Sequence, residues 1–587
     1  MNHKVDRSMQ MPFPYSATER AHAVEVALGR VEPDLVIRNC RALAVQTGEW
    51  IATNLLVAGD RIAAWSENVR SGRRIVDAGG RRAIPGLIDG HMHVEATLLA
   101  PSRLATLLVP RGVTTILADL HEVVHVFGLQ GVEAFTADAA RTPLRCLLQV
   151  PSPLRVAEVK VLLGSQQAVS LGEASLPRIL RKLDKFTRLA EAAQAMGRGV
   201  TGHAAGLELG PELAALTALG QADDHECETP EQALARLRFG QRVMIREGSA
   251  ARNLKALLPL LRDHPTWADR FTFCTDDRDV MDILYRGHLD DCVRTAIQEG
   301  VAPEIALRVA TLSCAEQYHL EAHLGSLAPG RLADVVLLED LETLTPYRVI
   351  VGGEVVAEKR MALWPDVTPA FPSDFFRSVR VGRKLTPDDL ALHPPEGGES
   401  VARVIRVAPD RITKEVEEIP VRVRDGEILD RVTQDILKIV VVERHRATGE
   451  IGLGLVQGFG LRRGALASSV AHDDHNLVAV GTQVEDMLVA LRTLESLQGG
   501  LVVVEEGRVR AALPLPIAGL INPAAPSKVA QQLKRVVNAA HDLGCTLPAP
   551  FMTLSFVPLV GLPELGLSEK GLIDSKTYES LSLWVRD

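Results

Sequence analysis

The sequence has few aromatic residues and no block of lysine or arginine residues. Phe, Trp and Tyr make up 4% of its 587 residues, and the formal net charge is -9. Single-stranded nucleic acids are bound on aromatic platforms, and DNA duplexes require clustered positive charge. We therefore expect no nucleic-acid partner. No apolar run approaches the roughly 18 residues needed to cross a bilayer, so we expect no membrane partner either.

The chain also lacks closely spaced cysteines of the kind that bind metal or form redox pairs. Its seven cysteines are scattered and never form a Cys-x-x-Cys pair. This pattern is typical of reduced thiols in a cytosolic protein. The first twenty residues lack the apolar core of a signal peptide. The sequence therefore predicts a soluble cytoplasmic protein.

Motifs of several enzyme classes are missing. No glycine-rich phosphate-binding motif occurs in a usable context, and no Gly-x-Ser-x-Gly nucleophile elbow is present. The Pro-Cys-x-x-Cys signature of the small zinc base deaminases is absent as well. These absences argue against phosphate binding, serine hydrolysis and the small zinc deaminase fold.

The chain is long enough for several domains. Short strands separated by glycine turns occupy residues 33–84, and similar strands return after residue 324. We expect these two segments to join in space as one small composite β-sandwich. The predicted division is an N-terminal extension at 1–32, a composite β domain at 33–84 plus 324–360, a catalytic barrel at 85–323, a linker at 361–378 and a C-terminal α+β domain at 379–587.

Apolar strands alternate with helical segments between residues 85 and 323. Eight such strands over about 240 residues predict an α/β fold of the (β/α)8 barrel type. The predicted strands are 83–88, 113–120, 145–150, 168–171, 199–201, 221–222, 243–245 and 270–274, with helices between many of them, among them 179–196, 230–239, 250–261 and 303–312.

The most informative stretch is Pro85-Gly-Leu-Ile-Asp-Gly-His-Met-His93. Side chains at positions i and i+2 of a strand point to the same side, so His91 and His93 can reach one ion together. Imidazole nitrogen suits Zn, Mn and Fe. The competing interpretation is a pair of surface or core histidines without a ligand.

Polar residues follow several other predicted strands, where a barrel of this type carries its catalytic groups. They are His121 and Glu122 after the second strand, Glu173 after the fourth, His203 after the fifth, His225 after the sixth and Asp276 after the eighth. Four histidines and two carboxylates at one barrel mouth would hold two divalent cations. Either Glu173 or Glu122 could bridge them, and Asp276 could accept a proton from water.

The motif at residues 85–93 resembles the first-strand signature of the amidohydrolase superfamily, and further motifs resemble the adenine deaminase family within it. These motifs are Thr114-Thr-Ile-Leu-Ala-Asp-Leu-His-Glu122, Asp224-His-Glu226, Ile245-Arg-Glu-Gly-Ser-Ala250, Thr275-Asp-Asp-Arg278 and Ser469-Val-Ala-His-Asp-Asp-His-Asn476. The resemblance extends from about residue 33 to the end of the chain. It implies a metal-dependent hydrolase that converts adenine to hypoxanthine and ammonia with a metal-activated hydroxide.

The resemblance also implies cofactors and residue roles. Two divalent ions are expected, Mn²⁺ first, with Fe²⁺ or Zn²⁺ as alternatives, and a homodimer acting on a small purine in purine salvage. The implied metal ligands are His91, His93, His203, His225 and Asp276, with Glu173 bridging.

The remaining implied roles concern the substrate. His121 and Glu122 would protonate the ring or the leaving amine and position the base. Arg246 and Ser249 would hydrogen-bond the purine edge. His472, Asp473 and His475 belong to the C-terminal region, and they would either close over the site or only stabilise that domain.

Two other functions stay open at this point. The first is another amidohydrolase that uses the same metals on a different purine, a cyclic amide or an N-acyl amino acid. The second is a barrel that has lost its chemistry and serves as a scaffold or ligand sensor. A non-enzyme would hold no stoichiometric transition metal.

Overall fold

The computed structural model of the chain describes residues 13–69, 71–395, 399–409, 411, 413–429, 431–472, 474–561 and 564–585. Most of the N-terminal extension that lies within this part is the helix Ala17–Ala27. The Ser16 side chain accepts a hydrogen bond from the Glu19 backbone N–H and so caps the helix. Residues 1–12 of the predicted extension lie outside the described residues.

One nine-stranded sheet combines strands from before and after the barrel. Its order is Met361–Ala362, Glu354–Glu358, Thr345–Val351, Val335–Asp340, Arg82–Pro85, Leu35–Ala44, Glu49–Ala58 and Arg61–Ser66, with Ile75–Asp77 beside Leu35–Ala44. The two sequence segments meet where Val335 pairs with Pro85 in an antiparallel register. We call this the flanking sheet.

The predicted first barrel strand, 83–88, corresponds to two strands. Arg82–Pro85 belongs to the flanking sheet, and the barrel strand Leu87–Met92 begins after Gly86. A Cβ atom at Gly86 would lie 2.2 Å from Oγ1 of Thr114. The chain passes from the flanking sheet to the barrel at Gly86, where only glycine fits against Thr114. The apolar residues continue across this point, so the sequence pattern does not show where one strand ends and the next begins.

Eight parallel strands form the barrel, which confirms the predicted barrel. They are Leu87–Met92, Val113–Asp119, Arg145–Val150, Ala168–Leu171, Gly199–Val200, Asp223–Asp224, Arg242–Arg246 and Phe271–Cys274. The first five and the last three each form a continuous sheet. Parallel bridges from Val200 to Gln221 and from Met92 to Asp276 close the circle. The sixth strand lies two residues beyond its predicted place, because it is short and polar.

Helices surround the barrel. They are Pro101–Leu108, His121–Ala139, Val156–Leu163, Leu176–Arg181, Leu183–Ala195, Pro211–Leu219, Pro230–Arg238, Leu254–Asp263, Val280–Tyr285, Leu289–Gln298, Pro303–Val309 and Leu312–Gln317. The predicted helix 179–196 is interrupted at Lys182, whose φ of -128° is not helical. Within the described residues, no helix is both long enough and apolar enough to span a bilayer.

The C-terminal part is built on a second nine-stranded sheet. Its order is Glu427–Ile428, Glu415–Arg424, Glu399–Arg406, Ile451–Gln457, Ile436–Val442, Leu477–Gly481, Ala465–Ser468, Gly500–Glu505 and Arg508–Pro514. A three-stranded sheet follows, Leu565–Ser568, Gly571–Asp574 and Ser580–Leu581, and the helices are Arg431–Gln434, Val484–Leu497, Pro526–Asp542 and Pro550–Phe556.

Alternating side chains bury both faces of this second sheet. Ile439 and Val441 join the large hydrophobic cluster that also contains the barrel core. Val440 and Val442 point the other way, into a cluster shared with the helix Val484–Leu497. This is the period of two expected for a strand. The C-terminal part is therefore packed against the barrel through a continuous apolar interior.

A buried ion pair fixes the loops that follow the fifth and sixth barrel strands. Both Arg236 and Asp224 are 0% exposed, and Nε of Arg236 lies 2.8 Å from Oδ2 of Asp224. Asp224 also accepts the backbone N–H of Ala204 at 2.9 Å, and Nη2 of Arg236 donates to the Ala204 carbonyl at 2.6 Å. The segment next to His203 is held from both sides.

We expect Asp224→Ala to lower the free energy of unfolding by about 3–5 kcal/mol, because it leaves the Arg236 charge buried without its partner. Urea denaturation followed by tryptophan fluorescence measures the loss. The matched control is the double variant Asp224→Leu with Arg236→Met, which removes both charges and should recover most of the stability. A loss below about 1 kcal/mol in Asp224→Ala would contradict the pairing.

Candidate metal centre

His91 and His93 converge on Asp276 at the end of the first barrel strand. The Nε2 atoms of the two histidines lie 3.4 and 3.0 Å from Oδ1 of Asp276. Their Nδ1 atoms are engaged elsewhere, 2.5 Å from Oε1 of Gln149 and 3.0 Å from the carbonyl of Asp119. A partner on Nδ1 fixes the ring and leaves Nε2 for a metal, as is common for metal-binding histidines.

Glu173 lies between two pairs of histidines. Its Oε1 is 3.5 Å from Nε2 of His93, and its Oε2 is 3.4 Å from Nδ1 of His203 and 3.1 Å from Nε2 of His225. Burial opposes a charge on Glu173, but His225 and His203 outweigh burial and hold its pKa well below the usual range. An ionised carboxylate at this position can contact two cations at once.

The donor set fits divalent metal ions. The ligand atoms of His91, His93 and Glu173 lie within 4.8 Å of one another, and so do those of Glu173, His203 and His225. Nε2 of His91 and Oε2 of Glu173 are buried and have no hydrogen-bond partner among the described residues. Imidazole and carboxylate ligands suit Zn, Mn and Fe. Two ions with a shared carboxylate would satisfy these atoms.

Buried aspartates fix the strand ends that carry the ligands. Asp89 accepts the backbone N–H groups of His91 and Thr275, both at 3.2 Å, and so ties the first strand to the eighth. Asp119 accepts the backbone N–H of Glu173 at 3.0 Å and ties the second strand to the fourth. Sequence reasoning did not identify these aspartates as part of the site. Their signal is a single aspartate inside or at the end of an apolar strand.

Asp276 has an uncommon backbone conformation. Its φ is 52°, in the left-handed region that aspartate tolerates better than most residues. Two backbone hydrogen bonds hold it there: its N–H donates to the carbonyl of His91 at 3.0 Å, and its carbonyl accepts from the N–H of His93 at 2.9 Å. The eighth strand is thereby locked to the first at the ligand positions.

Glu122 is engaged by the C-terminal part of the chain. Its two carboxylate oxygens are hydrogen-bonded to Nδ1 of His472 and Nε2 of His475. Burial opposes its charge, but His472, His475 and His121 hold the pKa of Glu122 well below the usual range. Glu122 therefore lies beside the centre, whereas Glu173 occupies the position between the histidine pairs.

Glu226 is a site residue that sequence reasoning missed. Its Oε1 lies 3.1 Å from Nδ1 of His203 and 3.3 Å from Nε2 of His225. Nη1 of Arg246 lies 3.1 Å from the same oxygen and 2.5 Å from Oδ2 of Asp276. Arg246 thus links the two carboxylates by charge and hydrogen bonds. The available signal was the position of Glu226 directly after His225.

The predicted substrate contact of Ser249 is not supported by the geometry, and that of Asp473 stays a prediction. Ser249 does not line the cavity at the centre. Its hydroxyl donates to Asp282 at 2.8 Å and accepts the N–H of Asp279 at 3.0 Å, so it serves the start of the helix Val280–Tyr285. Asp473 lies outside the described residues.

The cavity at the centre is small. About 60 Å³ is enclosed by side chains that include His93, His121, Arg246 and Asp276 from the barrel and His472 from the C-terminal part. A neighbouring cavity of about 480 Å³ shares three wall residues with it, Ser175, His203 and Gly561. The larger cavity is lined by residues of both the barrel and the C-terminal part.

Two family models match this chain, and each matched segment contains residues of the site. The model of the Amidohydrolase family matches residues 82–356, and that of the Adenine deaminase C-terminal domain matches residues 410–579. An adenine deaminase of Methylobacterium sp. is 40% identical over 567 residues, which is 95% of this chain and 98% of that protein. Those of Desulforamulus reducens and Methanothrix thermoacetophila are 38% and 37% identical, over 92% and 96% of this chain and 94% and 99% of theirs.

The chain belongs to the adenine deaminase family. The resemblance drawn from the motifs is confirmed. Glu122 lies in the segment matched by the Amidohydrolase family, and its partners His472 and His475 lie in the segment matched by the Adenine deaminase C-terminal domain. The hydrogen bonds of Glu122 therefore join the two segments that the family models match.

We expect Glu173→Gln and Glu122→Gln to affect the metal content differently. Glu173→Gln should weaken metal binding by about 100-fold or more, because it removes the charge between the histidine pairs. Glu122→Gln should keep the metal content of the unaltered protein, because its carboxylate is held by His472 and His475. Plasma mass spectrometry of dialysed protein measures both. Equal losses in the two variants would show that Glu122 also binds metal.

Proposed function

We propose that the protein catalyses the hydrolytic deamination of adenine to hypoxanthine and ammonia. The observation that carries this proposal is the joint site, in which histidine and carboxylate ligands at the barrel mouth adjoin a glutamate engaged by two C-terminal histidines. Relatives named adenine deaminase match over at least 92% of this chain. Another amidohydrolase activity or an inactive scaffold accounts less well for this combination.

His91, His93, Asp276 and Glu173 would hold one ion, and Glu173, His203 and His225 the other. Distances of 3.0–3.8 Å between these atoms support the assignment. When bound, two divalent cations supply the charge that brings the pKa of a water molecule toward neutral. We propose Mn²⁺, with Fe²⁺ or Zn²⁺ as alternatives compatible with the same ligands.

Asp276 is positioned to move the proton of the attacking water. Its Oδ1 faces His91 and His93, while its Oδ2 is held by Arg246. In the proposed reaction water adds to C6 of adenine, Asp276 accepts its proton, and the proton then passes to the amino nitrogen as the C6–N bond breaks. The hydrogen bond to Arg246 keeps the carboxylate in one orientation throughout.

His121, Glu122 and His472 supply the second proton path. Nε2 of His121 lies 3.5 Å from Oε1 of Glu122, and all three side chains line the cavity. A proton shared by this group would go to a ring nitrogen as the C6–O bond forms, which spreads the developing charge over the ring. The proton left on the C6 hydroxyl would return to the group as ammonia leaves and the C6 carbonyl forms. His472 therefore closes over the site in this proposal, and Arg246 lines the cavity for contact with the purine edge.

The finer assignments of architecture and cell biology are part of the proposal. The flanking sheet, with residues 33–84 and 324–360, would be the composite β-sandwich domain of the family, and residues 379–587 its C-terminal domain. The seven unpaired cysteines support a cytoplasmic location. We also propose that the protein acts in purine salvage and forms a homodimer.

A direct assay tests the function. Protein loaded with manganese should convert adenine to hypoxanthine, followed by the change in ultraviolet absorbance and by ammonia release. Asp276→Asn should lower kcat by about 100-fold or more, because the proton acceptor is lost. The control His264→Ala changes an exposed histidine outside the cavity and should leave kcat unchanged. Near-normal turnover by Asp276→Asn would remove Asp276 as the proton acceptor.

A further inference from the structure

Asp277 is a buried residue whose side-chain oxygens accept no hydrogen bond from the described residues. The residue is 1% exposed, and neither side-chain oxygen has a hydrogen-bond partner among the described residues. Its side chain lines the cavity at the metal centre. A buried carboxylate without hydrogen bonds is strongly destabilising, and a bound ligand that supplies a donor would offset this cost.

The surrounding structure fixes Asp277 at the cavity wall. Its backbone carbonyl accepts the N–H of Ser249 at 3.4 Å. A Cβ atom on Gly248 would lie 1.8 Å from Oδ1 of Asp277, so the loop after the seventh strand packs directly against the carboxylate. Arg246, the nearby cation, directs its Nη1 to Glu226 and Asp276. The carboxylate of Asp277 is thus held in place, and both of its oxygens can accept a hydrogen bond from a ligand.

The chemistry of adenine shows which donor would meet this acceptor. Free adenine has two kinds of N–H donor: the amino group on C6 and one N–H on the five-membered ring. The amino group belongs at the reacting carbon, beside the ligands and Asp276. The ring N–H remains for a second acceptor, and any substituent on that nitrogen, such as the ribose of a nucleoside, removes it.

We propose that Asp277 accepts a hydrogen bond from the N–H of the five-membered ring and so selects the free base over nucleosides and other N-alkylated adenines. The proposal rests on the proposed deamination of adenine and extends it to the choice of substrate. A site that hydrogen-bonds an N–H of its substrate rejects an analogue without it by about 10⁴-fold, because the buried acceptor is left unpaired.

The experiment compares adenine with 9-methyladenine as substrates and as competitive ligands. Asp277→Leu keeps the branch at Cγ but has two methyl groups in place of the two oxygens, so it removes the acceptor and leaves a slightly larger side chain in the cavity wall. Asp277→Asn keeps one acceptor oxygen and loses the charge. Asp263→Leu, at an exposed position, is the matched control. Metal content is measured in every variant.

We expect the unaltered protein to prefer adenine over 9-methyladenine by at least about 10³-fold in kcat/KM. Asp277→Leu should reduce this preference to below about 10-fold, mainly by raising KM for adenine, because a matched apolar pair is nearly neutral. If Asp277→Leu does not fold or bind metal, Asp277→Asn decides, with an expected drop in preference of about 10-fold.

Two outcomes would overturn the inference. One is an unaltered preference in the variant that decides, which would assign the selectivity to the shape of the cavity. The other is equal use of adenine and 9-methyladenine by the unaltered protein. An unaltered protein that binds metal and does not deaminate adenine at all would instead refute the proposed function, and the two failures are therefore distinguishable.

Discussion

The site depends on one electrostatic constraint: ionised carboxylates are buried among histidines at the barrel mouth. Glu173 has His93 on one side and His203 and His225 on the other, within 3.1–3.5 Å. Charges in such a place must be paired and held in fixed geometry, because an uncompensated charge in the interior costs several kcal/mol. The buried aspartates of the barrel meet this requirement by binding backbone N–H groups, as Asp119 does for Glu173. The barrel rim is therefore rigid where the ligands are needed.

The same constraint explains why the C-terminal part belongs to the site. Glu122 is 1% exposed, and its two oxygens are hydrogen-bonded to His472 and His475, which lie about 350 residues later in the chain. Without those imidazoles the carboxylate would keep His121, 3.5 Å from its Oε1, but would lose both hydrogen bonds. The apolar cluster that joins the barrel core to the second sheet supplies the packing energy that keeps the two parts together. The Glu122 side chain therefore belongs both to the cavity at the centre and to the interface between the barrel and the C-terminal part.

The sequence predicted the barrel and the histidines at its strand ends, because both follow from local periodicity. The third and fourth strands, Arg145–Val150 and Ala168–Leu171, have the predicted bounds. It could not decide between Glu173 and Glu122, since that choice depends on contacts between distant segments. Glu226 was missed for the same reason. Ser249 was placed at the substrate because nothing local shows that its hydroxyl is hydrogen-bonded to Asp279 and Asp282 at the start of a helix. The first strand was misjudged at Gly86, where a three-dimensional crossing leaves the apolar pattern unbroken.

Asp276 and Asp277 are adjacent residues with the same side chain, and the backbone directs the two carboxylates into different surroundings. In a regular strand, adjacent side chains point to opposite faces. The strand ends at Cys274, and Asp276 beyond it has a positive φ, so that Asp276 faces the histidines and Arg246 while Asp277 packs against Gly248 at the cavity wall. The carboxylate of Asp276 faces the proposed metal ligands and Arg246, and that of Asp277 has no hydrogen-bond partner among the described residues. A single backbone conformation, held by hydrogen bonds to the first strand, thus separates the group that serves the reaction from the group we infer to choose the substrate.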